Sequence, residues 1–225
     1  MHRICIILSF LFWMHPVFSQ SEYNQTDASD RRHGVWRQYY PNSTQLRYEG
    51  TFHHGKETGT FKFYCPDCGD QPNVIKHFDL NSELTDVTFY EKGKRAAHGK
   101  MKDKDFVGKW IYYHKNSDKI MMEENYKDGV LHGKKSVFYP NGNLAEEIHY
   151  NKGIKEGANN YYAPDGTLLK NLNYHKNHLH GKAAYFDAKG NKISEGSYKN
   201  GLKNGLWRYY ENGKPTKEEQ FPKKH

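Results

Sequence analysis

Glycine returns at a nearly fixed interval in this chain. Gly108, Gly133, Gly157, Gly181 and Gly205 stand 25, 24, 24 and 24 residues apart. Each is followed, at its fourth and fifth successors, by a bulky pair: Tyr112-Tyr113, Val137-Phe138, Tyr161-Tyr162, Tyr185-Phe186 and Tyr209-Tyr210. An aromatic precedes the later glycines by seven places, at Tyr126, Tyr150, Tyr174 and Tyr198. Four places before the same glycines stand Gly129, Gly153, Asn177 and Gly201. Three registers kept over four consecutive units define an internal repeat, and a repeat restricts the fold to an array of similar supersecondary units.

The array extends in both directions. Gly34 and Gly59 are 25 residues apart, and the 49 residues from Gly59 to Gly108 hold two units in which Leu84 replaces the opening glycine. Met101 takes the aromatic place there and Lys104 the turn-glycine place. Units therefore start near residues 34, 59, 84, 108, 133, 157, 181 and 205, eight in all, the last stopping after Phe221. Within GLWRYYE, Trp207 and Tyr209 alternate onto one face while Tyr210 points to the other, which is strand spacing. Asn212-Gly213 after it and Asn200-Gly201 before it are hairpin turns. Asn177 in place of glycine predicts a left-handed backbone at that turn. No window holds a helical period. The expected fold is all-β, an elongated antiparallel β-meander of about eight 24-residue hairpins. Its roughly 15 or 16 strands, ~4.8 Å apart, would extend about 75 Å, with one face curling on itself to bury the aromatic rows.

Composition suits such an array: 36% of residues are hydrophobic and 15% aromatic, with 18 Tyr and 12 Phe. Aromatic content and strict period argue against disorder. Residues 1–19 read as a signal peptide, with Arg3 before the apolar run Ile4 to Phe12 and small-residue cleavage places ending at Ser19. That run is too short to span a bilayer, and no other stretch in the mature chain reaches transmembrane length. Residues 20–33 read as a polar linker, and residues 34–225 as the array. Removing the signal peptide takes Arg3 and no acidic residue, so the formal charge falls from +8 to +7. The mature protein is expected to be exported: periplasmic, envelope-associated or extracellular.

The sequence of glycine, aromatic pair, Asn-Gly turn, polar strand, aromatic and glycine, as in GLWRYYENGK and EGSYKNGLKNG, resembles the MORN repeat variant of bacterial YwqK antitoxin-like proteins. The resemblance covers residues 34–221, is strongest in the second half and weakens between Gly59 and Gly108. It implies a β-meander binding module, some of whose relatives are antitoxins, and it brings no catalytic motif. A secretion signal departs from a cytoplasmic antitoxin.

The one conspicuous chemical motif is Cys65-Pro66-Asp67-Cys68. In an exported protein it reads first as a local disulfide. A redox dithiol would need a helix N-terminus or a cation to acidify a thiol; structural zinc would need four ligands, and only His77 lies close in sequence. His132, Glu156 and His180 each precede a unit glycine, but equivalent places in successive units lie about 10 Å apart, too far to share an ion, so no metal and no cofactor is expected. The paired carboxylates Glu123-Glu124, Glu146-Glu147 and Glu218-Glu219 should face opposite sides of their strand. The place two after the unit glycine varies, with Trp110, Lys135, Asn159, Ala183 and Trp207, and Trp36 holds it in the first unit. This variability leads us to expect Trp110 and Trp207 to be more exposed than the tyrosine row and, with Trp36, to mark a recognition face. The expected function is non-catalytic binding of another protein. Anionic lipid or cell-envelope polysaccharide is the alternative partner, a thiol oxidoreductase using Cys65 and Cys68 the enzymatic alternative, and nucleic acid an unfavoured partner for an exported protein.

Overall fold

The computed structural model describes residues 22–67 and 69–223. The proposed signal peptide and Cys68 lie outside the described residues. Nineteen strand segments follow one another in chain order. The first nine are β1 (Gln25–Thr26), β2 (Arg32–Tyr39), β3 (Leu46–His53), β4 (Lys56–Phe63), β5 (Val74–Phe78), β6 (Leu84–Glu91), β7 (Lys94–Lys102), β8 (Asp105–Tyr113) and β9 (Ile120–Lys127). Then come β10 (Val130–Leu131), β11 (Gly133–Phe138), β12 (Leu144–Asn151), β13 (Ile154–Lys155) and β14 (Gly157–Tyr162). The series ends with β15 (Leu168–His175), β16 (His178–Phe186), β17 (Lys192–Lys199), β18 (Leu202–Glu211) and β19 (Lys214–Phe221). Every pairing is antiparallel and joins strands adjacent in the chain; β10 and β11 share the partner β9, and β13 and β14 share β12, as halves of one interrupted strand. The all-β meander expected from the repeat is the observed architecture, with no helix among the described residues.

The turns explain the Gly and Asn places between strands. At Asp128-Gly129, Lys152-Gly153, Asn200-Gly201 and Asn212-Gly213 both central residues have positive φ, the geometry whose twist matches that of the flanking strands. Lys176-Asn177 does the same with φ of 50° and 67°, so Asn177 takes the left-handed backbone expected of it.

The opening glycine has a different task. Between β15 and β16, Tyr174 pairs with Leu179 and Leu172 with Ala183, so His180, Gly181 and Lys182 face Asn173 alone. Gly181 absorbs this bulge at φ 89°, a conformation that a Cβ would strain. Asn173 Nδ2 then donates to the Lys182 carbonyl at 2.8 Å, as Asn125 Nδ2 donates to that of Lys134 at 2.6 Å. Where Leu84 replaces glycine there is no bulge: Val74–His77 pairs with Asp86–Phe89 without a shift. The irregular unit in the sequence is the unbroken ladder in the structure.

Among the described residues, substantial packing contacts join only sheet neighbours, and the strands form one open sheet. The expected curling to enclose the aromatic rows is absent. Burial is achieved within the layer, by a central row of side chains flanked on both sides by half-buried rings. The segment expected to be a linker is also partly in the sheet. β1 pairs with β2 through Gln25↔His33 and Thr26↔Arg32, closed by a turn in which Asp27 Oδ1 accepts the Ser29 and Arg31 amides.

A candidate binding surface on the aromatic face

The central row runs across the sheet through the places two after the unit glycines and their cross-strand partners. Trp110 and Trp207 sit in it at 0% and 1% exposure. The expected exposure of these tryptophans is therefore corrected: they are core, and the tyrosines at 126, 150, 174 and 198 are only half-buried. The reason lies on the neighbouring strand. Gly99 faces Trp110 so closely that a Cβ there would lie 2.5 Å from the ring, and Gly196 stands in the same relation to Trp207 at 2.4 Å. Gly50 does this for Phe61 at 2.3 Å. Rings occupy the row where the neighbour is glycine. Where the neighbour is bulkier the row holds smaller or polar groups, such as Asn159 against Leu172 and Ala183 between Leu172 and Gly196. What looked like relaxed variation is size complementarity.

Each tryptophan is held by its indole as well. Trp110 Nε1 donates to the Lys100 carbonyl and Trp207 Nε1 to that of Ser197, both at 3.0 Å. Phe106 stacks on Trp110 with centroids 3.8 Å apart, and the Lys203 ammonium lies 4.2 Å above Trp207. Trp36 is half-buried, donating from Nε1 to the Gln25 carbonyl at 2.8 Å beneath the Arg32 guanidinium. None of the three is a free anchor for a partner.

The row also carries charge. Glu124 follows Trp110 across the sheet and binds Lys135 Nζ at 2.8 Å and the Tyr126 hydroxyl at 2.7 Å. Burial would raise its pKa, but these donors hold the carboxyl below its ordinary value. The Tyr126 hydroxyl is pushed well above its usual range by burial and by Glu124. Glu219, after Trp207, binds Lys217 at 2.9 Å and accepts from the Tyr209 hydroxyl at 3.1 Å. The lysine, opposed by some desolvation and helped by Tyr209, lowers its pKa to about 2. The other members of these carboxylate pairs face the opposite side, Glu123 to Lys109 and Glu218 to Arg208, as alternation requires. That second face is a ladder of cross-strand ion pairs, each worth little in water.

What remains open is the aromatic face beside the row. Tyr161, Tyr174 and Tyr185 are half-buried there. Lys170 lies 5.6 Å from the Tyr161 ring and Lys155 5.5 Å from that of Tyr174; among the described residues neither lysine has a carboxylate partner. A groove on the same face is lined by Phe63, Val74, Lys76, Phe89 and Met101. Cys65, at its rim, is disulfide-bonded. The histidines that precede unit glycines are not assembled with one another. Instead His175 reaches Glu156 at 2.7 Å and packs its ring against His180. A closer histidine group, at the N-terminal end of the sheet, joins residues of different registers, so no repeat spacing marks it.

A one-layer repeat sheet with an open aromatic face defines a scaffold of the extended binding kind. More particularly, residues 32–54, 131–152, 179–200 and 203–221 match the MORN repeat variant. Each match begins two residues before a unit glycine, so the four matched segments are MORN-type repeats in register with the array. No curated protein matches it. No helix among the described residues is long and apolar enough to cross a membrane.

Proposed function

We propose that this chain is an exported, non-catalytic binding module that holds an acidic protein along its aromatic face. The observation carrying this reading is the uncovered strip of tyrosine rings with Lys155 and Lys170 beside them. Ring faces offer rigid contact area, and the unpaired lysines offer charge to carboxylates. Aromatic residues also concentrate binding energy at protein interfaces. The positive net charge would speed encounter with an acidic surface. The resemblance to antitoxin-like proteins is compatible with a protein partner. The N-terminal signal reading moves that partner outside the cytoplasm, and N-terminal sequencing of the mature form should begin near Gln20.

Cross-linking pull-downs from the native envelope test the face directly. Lys155→Glu with Lys170→Glu should abolish capture of the partner without moving Tm, whereas Lys182→Glu, exposed on the ion-pair face, should leave it intact. If both changes act alike, the aromatic face is not the interface. Sedimentation with anionic vesicles, lost as salt rises and with no protein captured, would replace the protein partner by a lipid surface.

A further inference from the structure

Three histidines meet at the N-terminal end of the sheet. His33 lies in β2, His53 ends β3, and His54 is the first turn residue after it. One ring nitrogen from each lies within 4.8 Å of the others. The ring centroids are 5.6 Å apart for His33 and His53, 4.8 Å for His33 and His54, and 4.5 Å for His53 and His54. Ligands about 2.0–2.1 Å from a tetrahedral ion stand roughly 3.4 Å from each other, so modest side-chain rotations close the set.

Two further observations point to a cation. Asp27 Oδ2 lies 2.5 Å from His54 Nδ1, which fixes the tautomer and leaves Nε2 free. Carboxylate behind imidazole is the arrangement that orients and strengthens metal-ligating histidines. Asp27 is itself anchored by Arg31 at 2.8 Å. In addition, His33 Nδ1 is buried and has no hydrogen-bond partner among the described residues, a cost that a ligand would remove. The backbone is prepared: His54 and Gly55 adopt positive φ, and the Gly55 amide donates to the Arg32 carbonyl at 2.8 Å. The β3–β4 turn is thereby held against β2, beside the Asp27–Arg31 loop.

We propose that His33, His53 and His54 form a binding site for one divalent transition cation, with Zn2+ as the first choice, positioned by Asp27. Imidazole ligands suit zinc, copper and nickel over calcium or magnesium. Three protein ligands leave a fourth position for water. Bound there, the ion would join the Asp27–Arg31 loop, β2 and the β3–β4 turn, stapling the N-terminal end of the described sheet. This site lies on other residues than the aromatic face and stands or falls separately from the proposed partner binding.

The experiment uses the mature chain without a histidine tag and Zn2+ as the probe. Titration calorimetry should find one ion per chain at micromolar affinity or tighter, and Tm should rise by about 5 °C at saturation. His33→Gln and His54→Gln should each weaken binding by more than about tenfold, and Asp27→Asn by about 10–100-fold. His175→Gln, at the other histidine group, should change nothing. Circular dichroism of the metal-free variants checks that each still folds. Millimolar binding in the parent chain, binding unaffected by His33→Gln and His54→Gln, or binding lost only in His175→Gln would each overturn the site.

Discussion

Trp110 and Asn159 occupy the same place in their units, and each is fully buried. They are buried by opposite means. Trp110 lies over Gly99, stacks on Phe106 and uses its one donor. Asn159 faces Leu172 and accepts the His149 amide through Oδ1 at 2.9 Å, while its Nδ2 has no partner among the described residues. The difference teaches that the row is specified pairwise across the sheet. A place in the repeat does not demand a residue type; it demands a volume that fits its neighbour, and the middle of the array meets that demand with less apolar area than the tryptophan regions.

The largest effect should come from the ring regions. Trp110→Ala should cost about 3–5 kcal/mol, lowering Tm by roughly 10 °C or more in a chain of this size. Gly99→Ala should approach it, at about 3 kcal/mol, because the new methyl overlaps the ring. The double variant should cost clearly less than the two singles added, since both remove the same fit; additive losses in calorimetric melting would show that glycine and ring are not paired.

Next is the buried charge between the two regions. Lys135→Met leaves Glu124 without its cation, and should cost about 3 kcal/mol at neutral pH. The deficit should shrink in acid, where Glu124 takes up a proton and no longer needs the ion pair. Urea melts at pH 7 and pH 4 giving equal deficits would remove Glu124 from the core. Asn159→Ala should cost less, about 1 kcal/mol, because it deletes the acceptor of the His149 amide and an unpaired donor together; a loss as large as that of Trp110→Ala would erase the contrast.

The smallest effect concerns Glu219. Its folded pKa, about 2 against an ordinary 4.5, means that its contribution is complete above about pH 4.5. The contribution is lost as pH falls toward 2. Glu219→Gln should therefore flatten the acid limb of the Tm-against-pH curve and leave that curve unchanged in shape above pH 5. A change confined to alkaline pH would contradict the assignment.

Much of this fold is legible in the residues. The glycine period carried the all-β meander, the turn pairs and the left-handed Asn177, and Leu84 stands where the β5–β6 ladder runs without a bulge. The inward row is not legible along single units, because its physical constraint runs across strands. A signal was present: Gly50, Gly99 and Gly196 each precede Phe61, Trp110 and Trp207 by eleven residues. The histidine group was illegible for a different reason. His33 and His53 meet across a hairpin while Asp27 belongs to a segment whose polar composition suggested a linker, and two strand residues at Gln25–Thr26 are too few to show a period.

Because every described strand pairs only with its neighbours along the chain, no strand pairing waits on the closure of a long loop. Sheet proteins ordinarily fold slowly since distant segments must find one another first. Here each new strand can add to the one just formed, so the order of assembly can follow the order of synthesis. The same locality limits damage: loss of one terminal hairpin exposes one edge and leaves the remaining ladder paired, so unfolding should proceed as unzipping from an end in place of collapse of the whole.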